Sequence, residues 1–168
     1  MTIRPEGPAD VAAVRRVELS AFETPAEADI VDALRGRSEP FLSLVAEVGG
    51  RIVGHILFTR MTLEPSREGL ALGLAPLAVD REHQRAGVGS ALARAGLDAC
   101  REMGARLVFV LGDPDYYARF GFVPAAGLGF ACRWDVPPGA FGVIVFGGWP
   151  TEVEPVLARY HSAFDAAV

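Results

Sequence analysis

The residues best suited to chemistry in this chain lie between Leu77 and Ser90. An apolar run there meets a polar turn, Asp80-Arg81-Glu82-His83-Gln84-Arg85, and then Ala86-Gly87-Val88-Gly89-Ser90. Glycine lacks a Cβ, so backbone N–H groups beside it can approach a ligand closely. The helix expected to start here adds unpaired N–H donors and a partial positive charge. Strand, glycine turn and helix start together make an anion site, most naturally for phosphate, with Arg85 adding charge at its rim. A tight strand–helix turn with no ligand would use the same glycines. The loop is not a Walker A loop, because it has no Gly-Lys-Ser/Thr and the chain has no Lys at all. It is not the dinucleotide fingerprint, because Leu92 stands where the third glycine belongs.

A second motif begins 25 residues after Gly87: Gly112-Asp113-Pro114-Asp115-Tyr116-Tyr117-Ala118-Arg119-Phe120-Gly121-Phe122. Asp113-Pro114 reads as the start of a short helix, and Gly121 as its end. Tyr117 offers a phenol that is protonated at neutral pH, since its ordinary pKa is about 10. Such a group can protonate a leaving anion. Packing of Tyr116, Tyr117 and Phe120 along an amphipathic turn is the plainer alternative.

The spacing Gln84-x-x-Gly87-x-Gly89 resembles the Q/R-x-x-G-x-G/A acyl-CoA motif of the GNAT superfamily of N-acyltransferases. Tyr117, four residues before Gly121-Phe122, resembles the tyrosine of that family's later motif. The resemblance implies an α/β fold of the α+β type, with a mixed, mostly antiparallel sheet, flanking helices and a bulged central strand. It implies acetyl-CoA as donor, with Leu77, Ala78 and Val79 against the pantetheine and thioester. Gln84, Arg85, Ala86, Gly87, Val88, Gly89 and Ser90 would line the pyrophosphate. Tyr116 and Phe120 would lie on the coenzyme side, and Tyr117 would protonate the departing thiolate. The Tyr116–Phe122 string looks closest to a bacterial subgroup of acetyltransferases. Asp113 departs from the pattern, because the family often has Asn near that place.

The base is open. The family often uses a Glu on the central strand, yet Leu70 to Val79 contains no ionisable residue. Candidates are Glu23 and Glu27 near the second helix, His55 in Val53-Gly54-His55-Ile56-Leu57, Asp80 and His83 by the loop, or water. Cys132 would suit a covalent acyl intermediate only with a partner base, and none is evident.

These groups need elements to hold them. Thr2–Arg4 reads as a strand, Gly7-Pro8-Ala9-Asp10 as a helix start, and Val11, Val14, Val17 and Ala21 follow at helical spacing. A second helix is expected near 25–35, with Ala28, Val31 and Leu34 inward. Phe41–Val48 and Arg51–Leu63 read as strands joined by a Gly49-Gly50 turn. Leu70–Val79 is a strand broken by Pro76, which demands an edge or a bulge. Gly87 to Met103 is an expected helix with Val88, Leu92, Ala95, Ala99 and Met103 on one face and Gly104 as its cap. Arg106–Leu111 and Phe141–Phe146 are strands. Thr151 and Glu154 have capping-box spacing, followed by an apolar stripe of Val153, Val156, Leu157, Tyr160 and Phe164.

Composition narrows the classes. With 168 residues, one domain over 1–168 is expected. A hydrophobic share of 51% excludes a disordered chain. The net charge of −5, with no basic run, argues against a nucleic-acid partner. All 16 basic residues are Arg, there is no Asn, and Gln84 is the lone Gln. Cys100 and Cys132 lack metal spacing, so no metal is expected. No long apolar run suggests a signal peptide or a membrane span, so a cytoplasmic protein is expected. The resemblance implies a small-molecule or peptide amine as acceptor, approaching between 22–30 and 125–140, with homodimerisation left open. A non-catalytic acyl-CoA sensor and a nucleotide-binding protein are the rival readings.

Overall fold

The computed structural model describes residues 1–167. Its strands are β1 (Thr2–Pro5), β2 (Phe41–Val48), β3 (Arg51–Arg60), β4 (Thr62–Glu64), β5 (Leu70–Val79), β6 (Ala105–Leu111), β7 (Val123–Pro124), β8 (Phe130–Cys132), β9 (Phe141–Val145) and β10 (Val156–Arg159). Its α-helices are α1 (Val11–Ala21), α2 (Ala26–Leu34), α3 (Val88–Glu102) and α4 (Pro114–Ala118). Seven strands form one sheet in the order β1-β2-β3-β5-β6-β9-β7, and a smaller sheet has the order β4-β10-β8. Only the β5–β6 pair of the large sheet is parallel. The expected mixed, mostly antiparallel α/β sheet is what forms.

Alternation along the strands builds two cores. On β3 and β6, Leu57, Leu107 and Phe109 face the layer of α1 and α2, where Val14, Val17, Val31 and Leu34 are buried. Ile56, Phe58, Val108 and Val110 face α3. A strand buried on both faces reads as a continuous apolar run, which is the pattern of Leu107-Val108-Phe109-Val110. The buried face of α3 is Val88, Leu92, Ala93, Gly96, Leu97 and Cys100, turned from the expected stripe. Met103 is exposed. Gly96 decides the rotation: a Cβ there would lie 2.4 Å from Phe58 Cε2, so only this side of the helix fits over β3.

Two expectations fail. The Arg51–Leu63 run is not one strand: it breaks at Met61, and β4 leaves to pair with β10 in the smaller sheet. The tail is not an amphipathic helix. Val153 is exposed and Val156–Arg159 is a strand. Pro155 biases its predecessor to extended backbone, and β4 and β8 offer both edges of β10 a hydrogen-bonding partner.

The central feature is a fork. β5 pairs with β6 only through Leu70–Leu74, while its pairing with β3 continues to Val79. The register passes from Phe58↔Leu74 to Ile56↔Leu77, so Ala75 and Pro76 carry an extra residue against β3. This is the bulge that Pro76 demanded. Beyond it, one edge of β5 has no strand partner among the described residues.

Candidate active site

Two cavities meet at the fork. The first, of about 620 Å³, is lined by Leu77 and Val79 of β5, by Gln84, Arg85, Gly87, Gly89 and Ser90, and by Tyr116, Tyr117 and Arg119. The second, of about 330 Å³, is lined by Glu27, Ala75, Pro76, Trp134 and Tyr160 among others. Phe22, Leu77 and Tyr117 border both.

Local sequence builds the first cavity. Arg85 and Gly87 have positive φ, 60° and 87°, which turns the chain sharply from β5 into α3. The Gln84 side-chain amide donates to Val79 O at 3.0 Å, tying the turn to the end of β5. The lone Gln is therefore a clasp for the loop. The first N–H groups of α3, a 15-residue helix, have no partner within the helix. Arg119 donates to Ser90 Oγ at 2.9 Å and lies over Tyr116 and Phe120, which adds a cation beside those donors. Gly89 leaves room for Tyr116, whose hydroxyl would be 2.9 Å from a Cβ there.

The phenol is seated just as closely. Asp113 accepts from Asp115 N at 3.0 Å and starts α4. Gly112 lets the Tyr117 ring lie on the backbone; a Cβ would be 2.6 Å from its Cε2. Tyr116 and Phe122 meet that ring edge-on. Burial pushes the Tyr117 hydroxyl up to about 12, so it holds its proton throughout the neutral range. Tyr160 follows β10 in the C-terminal tail. Its hydroxyl donates to Leu74 O at 3.2 Å, and it packs over Gly73, where a Cβ would be 2.6 Å away. It plugs the crotch of the fork.

Of the residues expected at the coenzyme, Leu77, Val79, Gln84, Arg85, Gly87, Gly89, Ser90, Tyr116 and Tyr117 converge on the first cavity. Ala78 faces the opposite core, Val88 is buried beneath α3, Ala86 is exposed off the lining, and Phe120 packs behind Tyr116. Arg119 and Ala21 were missed, and Phe22 falls in the 22–30 stretch expected on the amine's approach rather than at the coenzyme. Arg119 had a signal, being a basic residue inside the second motif; Ala21 had none.

The model of the acetyltransferase (GNAT) family matches residues 11–122. The chain belongs to this family. It is 34% identical over 166 residues to an uncharacterized N-acetyltransferase of Escherichia coli, YhbS, covering 98% of this chain and 99% of that one. A second E. coli relative, the uncharacterized N-acetyltransferase YjhQ, is 44% identical over 132 residues, covering 76% and 73%. The crystal structure of YhbS in complex with CoA superposes with a TM-score of 0.88 over 98% of this chain and 91% of that one, at 34% identity. A GNAT acetyltransferase of Brucella melitensis in complex with acetyl-CoA gives 0.78 at 36% identity, over 98% and 97%.

For this GNAT acetyltransferase, the five ionisable candidates separate by position. His55 is fully buried, with Nδ1 2.6 Å from Glu18 Oε1 and Nε2 2.8 Å from Ser43 Oγ. Glu18 is equally sealed, and burial raises its carboxyl despite the histidine. Asp80 accepts from Ser20 Oγ at 2.7 Å and pairs with Arg16 and Arg51; the Ser20 bond leads in holding its carboxyl low. Asp80 thereby fastens α1 to the loop. Glu23 is exposed and His83 half-buried, and neither lines a cavity. Glu27 lines the second cavity, and its Oε2 is shielded from solvent with no hydrogen-bond partner among the described residues. Cys132 lines neither cavity, and burial pushes the Cys100 thiol up to about 12. Among the described residues, no three His, Cys, Asp or Glu side chains gather to hold a metal, and no helix is long and apolar enough to cross a membrane.

Proposed function

We propose that the 168 residues act as one acyltransferase unit that moves an acetyl group from acetyl-CoA to a primary amine. The reaction is direct attack in a ternary complex. The observation that carries this reading is the shared wall of the two cavities. Leu77 and Tyr117 stand where an anion-binding cleft meets a second chamber that holds a carboxylate.

The pyrophosphate lies against the α3 N-terminus, with Arg85 and Arg119 beside it. The free edge of β5 beyond Leu74 presents N–H and C=O groups to the pantetheine arm and polarises the thioester carbonyl. The amine arrives through the second chamber, and Glu27 takes its proton. The amine attacks, the C–S bond breaks, and Tyr117 protonates the sulfur. Most of the acceleration comes from holding both substrates in register.

Release of CoA thiol with a panel of amines tests the reading. Tyr117→Phe keeps the buried ring and removes only the hydroxyl, so kcat should fall by about 10²–10⁴, the usual worth of a general acid. A fall of less than about threefold removes Tyr117 from that role. A chain that only senses acyl-CoA would bind it and release no thiol with any amine.

A further inference from the structure

The second chamber also restricts which amines fit. Its volume, about 330 Å³, lies at the small end of ligand sites. Its walls are apolar and aromatic: Phe22, Ile30, Leu111, Trp134 and Phe164. Trp134 and Tyr160 stack with centroids 5.9 Å apart and 23° between planes, forming a flat aromatic panel. Glu27 is the one formally charged side chain among the lining residues, and no arginine or histidine joins it. The Tyr160 hydroxyl is already engaged by Leu74 O. Glu27 Oε2 makes no hydrogen bond among the described residues, and its carboxylate is the chamber's one negative group, so an entering cation has no other charge to pair with.

We infer that the acceptor is a compact primary monoamine with an apolar or aromatic body and no carboxylate. This rests on the acetyl-transfer reading above and names its acceptor class. The ammonium sits on Glu27, and the body lies against the Trp134–Tyr160 panel. An α-amino acid of the same body carries a carboxylate that meets no cation here and is repelled by Glu27. A polyamine or aminosugar brings further charges and hydroxyls into walls that cannot satisfy them.

The proton balance closes. One ammonium proton passes to Glu27 and on to solvent, leaving a neutral amine. The C–N bond forms, the C–S bond breaks, and the sulfur takes the Tyr117 proton. The second nitrogen proton returns to the Tyr117 oxygen. The products are the N-acetyl amine, CoA thiol and one released proton.

The test compares kcat/KM for thiol release with phenethylamine, 3-methylbutylamine, phenylalanine, spermidine and an aminoglycoside, using the full chain. The expected order puts phenethylamine and 3-methylbutylamine first, with phenylalanine lower by at least about 100-fold, since an unpaired like charge costs several kcal/mol. Glu27→Gln should lower kcat and raise KM for phenethylamine while the Kd of acetyl-CoA holds. Trp134→Ala should raise KM about tenfold or more with kcat nearly kept, as expected when an aromatic contact worth about 1–2 kcal/mol is removed. Phenylalanine, spermidine or the aminoglycoside at or above phenethylamine overturns the inference and leaves acetyl transfer standing. Acetyl-CoA binding with no thiol release for any amine overturns acetyl transfer as well. Glu27→Gln with unchanged constants removes Glu27 from both roles.

Discussion

Glu18→Ala is the sharpest perturbation of the fold, because it separates structural from chemical roles for a histidine. Glu18 and His55 are both 0% exposed, and their only access to each other is the 2.6 Å contact between Oε1 and Nδ1. Removing the carboxylate leaves the buried Nδ1 without its hydrogen-bond partner. Breaking one side of a buried pair costs about 3–5 kcal/mol. For a domain of this length, 1 kcal/mol moves Tm by about 2–4 °C, so Tm should drop by about 6–20 °C. His55→Ala should cost a similar amount. Replacing both residues with Leu should recover much of the loss, because well-packed apolar residues of similar volume substitute for buried pairs at little cost. Ser43 then keeps its bond to Glu6. Thermal unfolding by circular dichroism reads the three Tm values, and thiol release at 25 °C reads kcat. A Tm loss under about 2 °C would refute the buried-pair reasoning. A 100-fold loss of kcat in a variant with wild-type Tm would move His55 from the scaffold into the chemistry, since losses of that size mark a lost proton-transfer group.

Other perturbations test the site and the edge of the sheet. Because the Tyr117 hydroxyl is pushed up to about 12, kcat should show no fall from its ionisation between pH 7 and pH 10, which a pH–rate profile of wild type and Tyr117→Phe reads directly. Gly87→Ala meets nothing within 4 Å but must hold φ at +87°, so the folded state should lose about 1 kcal/mol of stability while calorimetry shows acetyl-CoA binding weakened by the added methyl. Asp10 is held down to about 2, first by the Arg4 pair and then by the Gly7 N–H. Its folded value lies below its free value of 3.8, so its contribution is present above about pH 4 and lost as pH falls from 4 towards 2. Urea titrations of wild type and Asp10→Asn should differ by about 1 kcal/mol at pH 7, after allowance for solvent screening, and converge near pH 2.

The local structure of the two motif segments was legible because its signals are local. A glycine at positive φ, a strand broken by Pro76 and a helix begun by Asp113-Pro114 each follow from steric rules spanning a few residues. The tail misled for the same reason. Val156, Leu157 and Tyr160 carry a helical stripe on paper, yet the free edges of β4 and β8 outcompete a short helix behind a proline. Helix α3 is legible in the sequence, but its buried face is set by the Phe58 ring beneath Gly96, a contact 38 residues apart in sequence.

What the sequence determined by itself is the glycine turn into α3, the buried strands and the short tyrosine-bearing helix after Gly112. These are matters of backbone freedom and hydrophobic period, which act between near neighbours. What only the tertiary structure decided is which ionisable group faces the second chamber. His55 and Glu27 are equal candidates in the linear chain. Folding seals one behind Glu18 and Ser43 and leaves the other on a cavity wall. Burial and charge pairing depend on elements brought together from across the chain. The residues that close that chamber, Trp134, Tyr160 and Phe164, lie beyond the last recognisable motif.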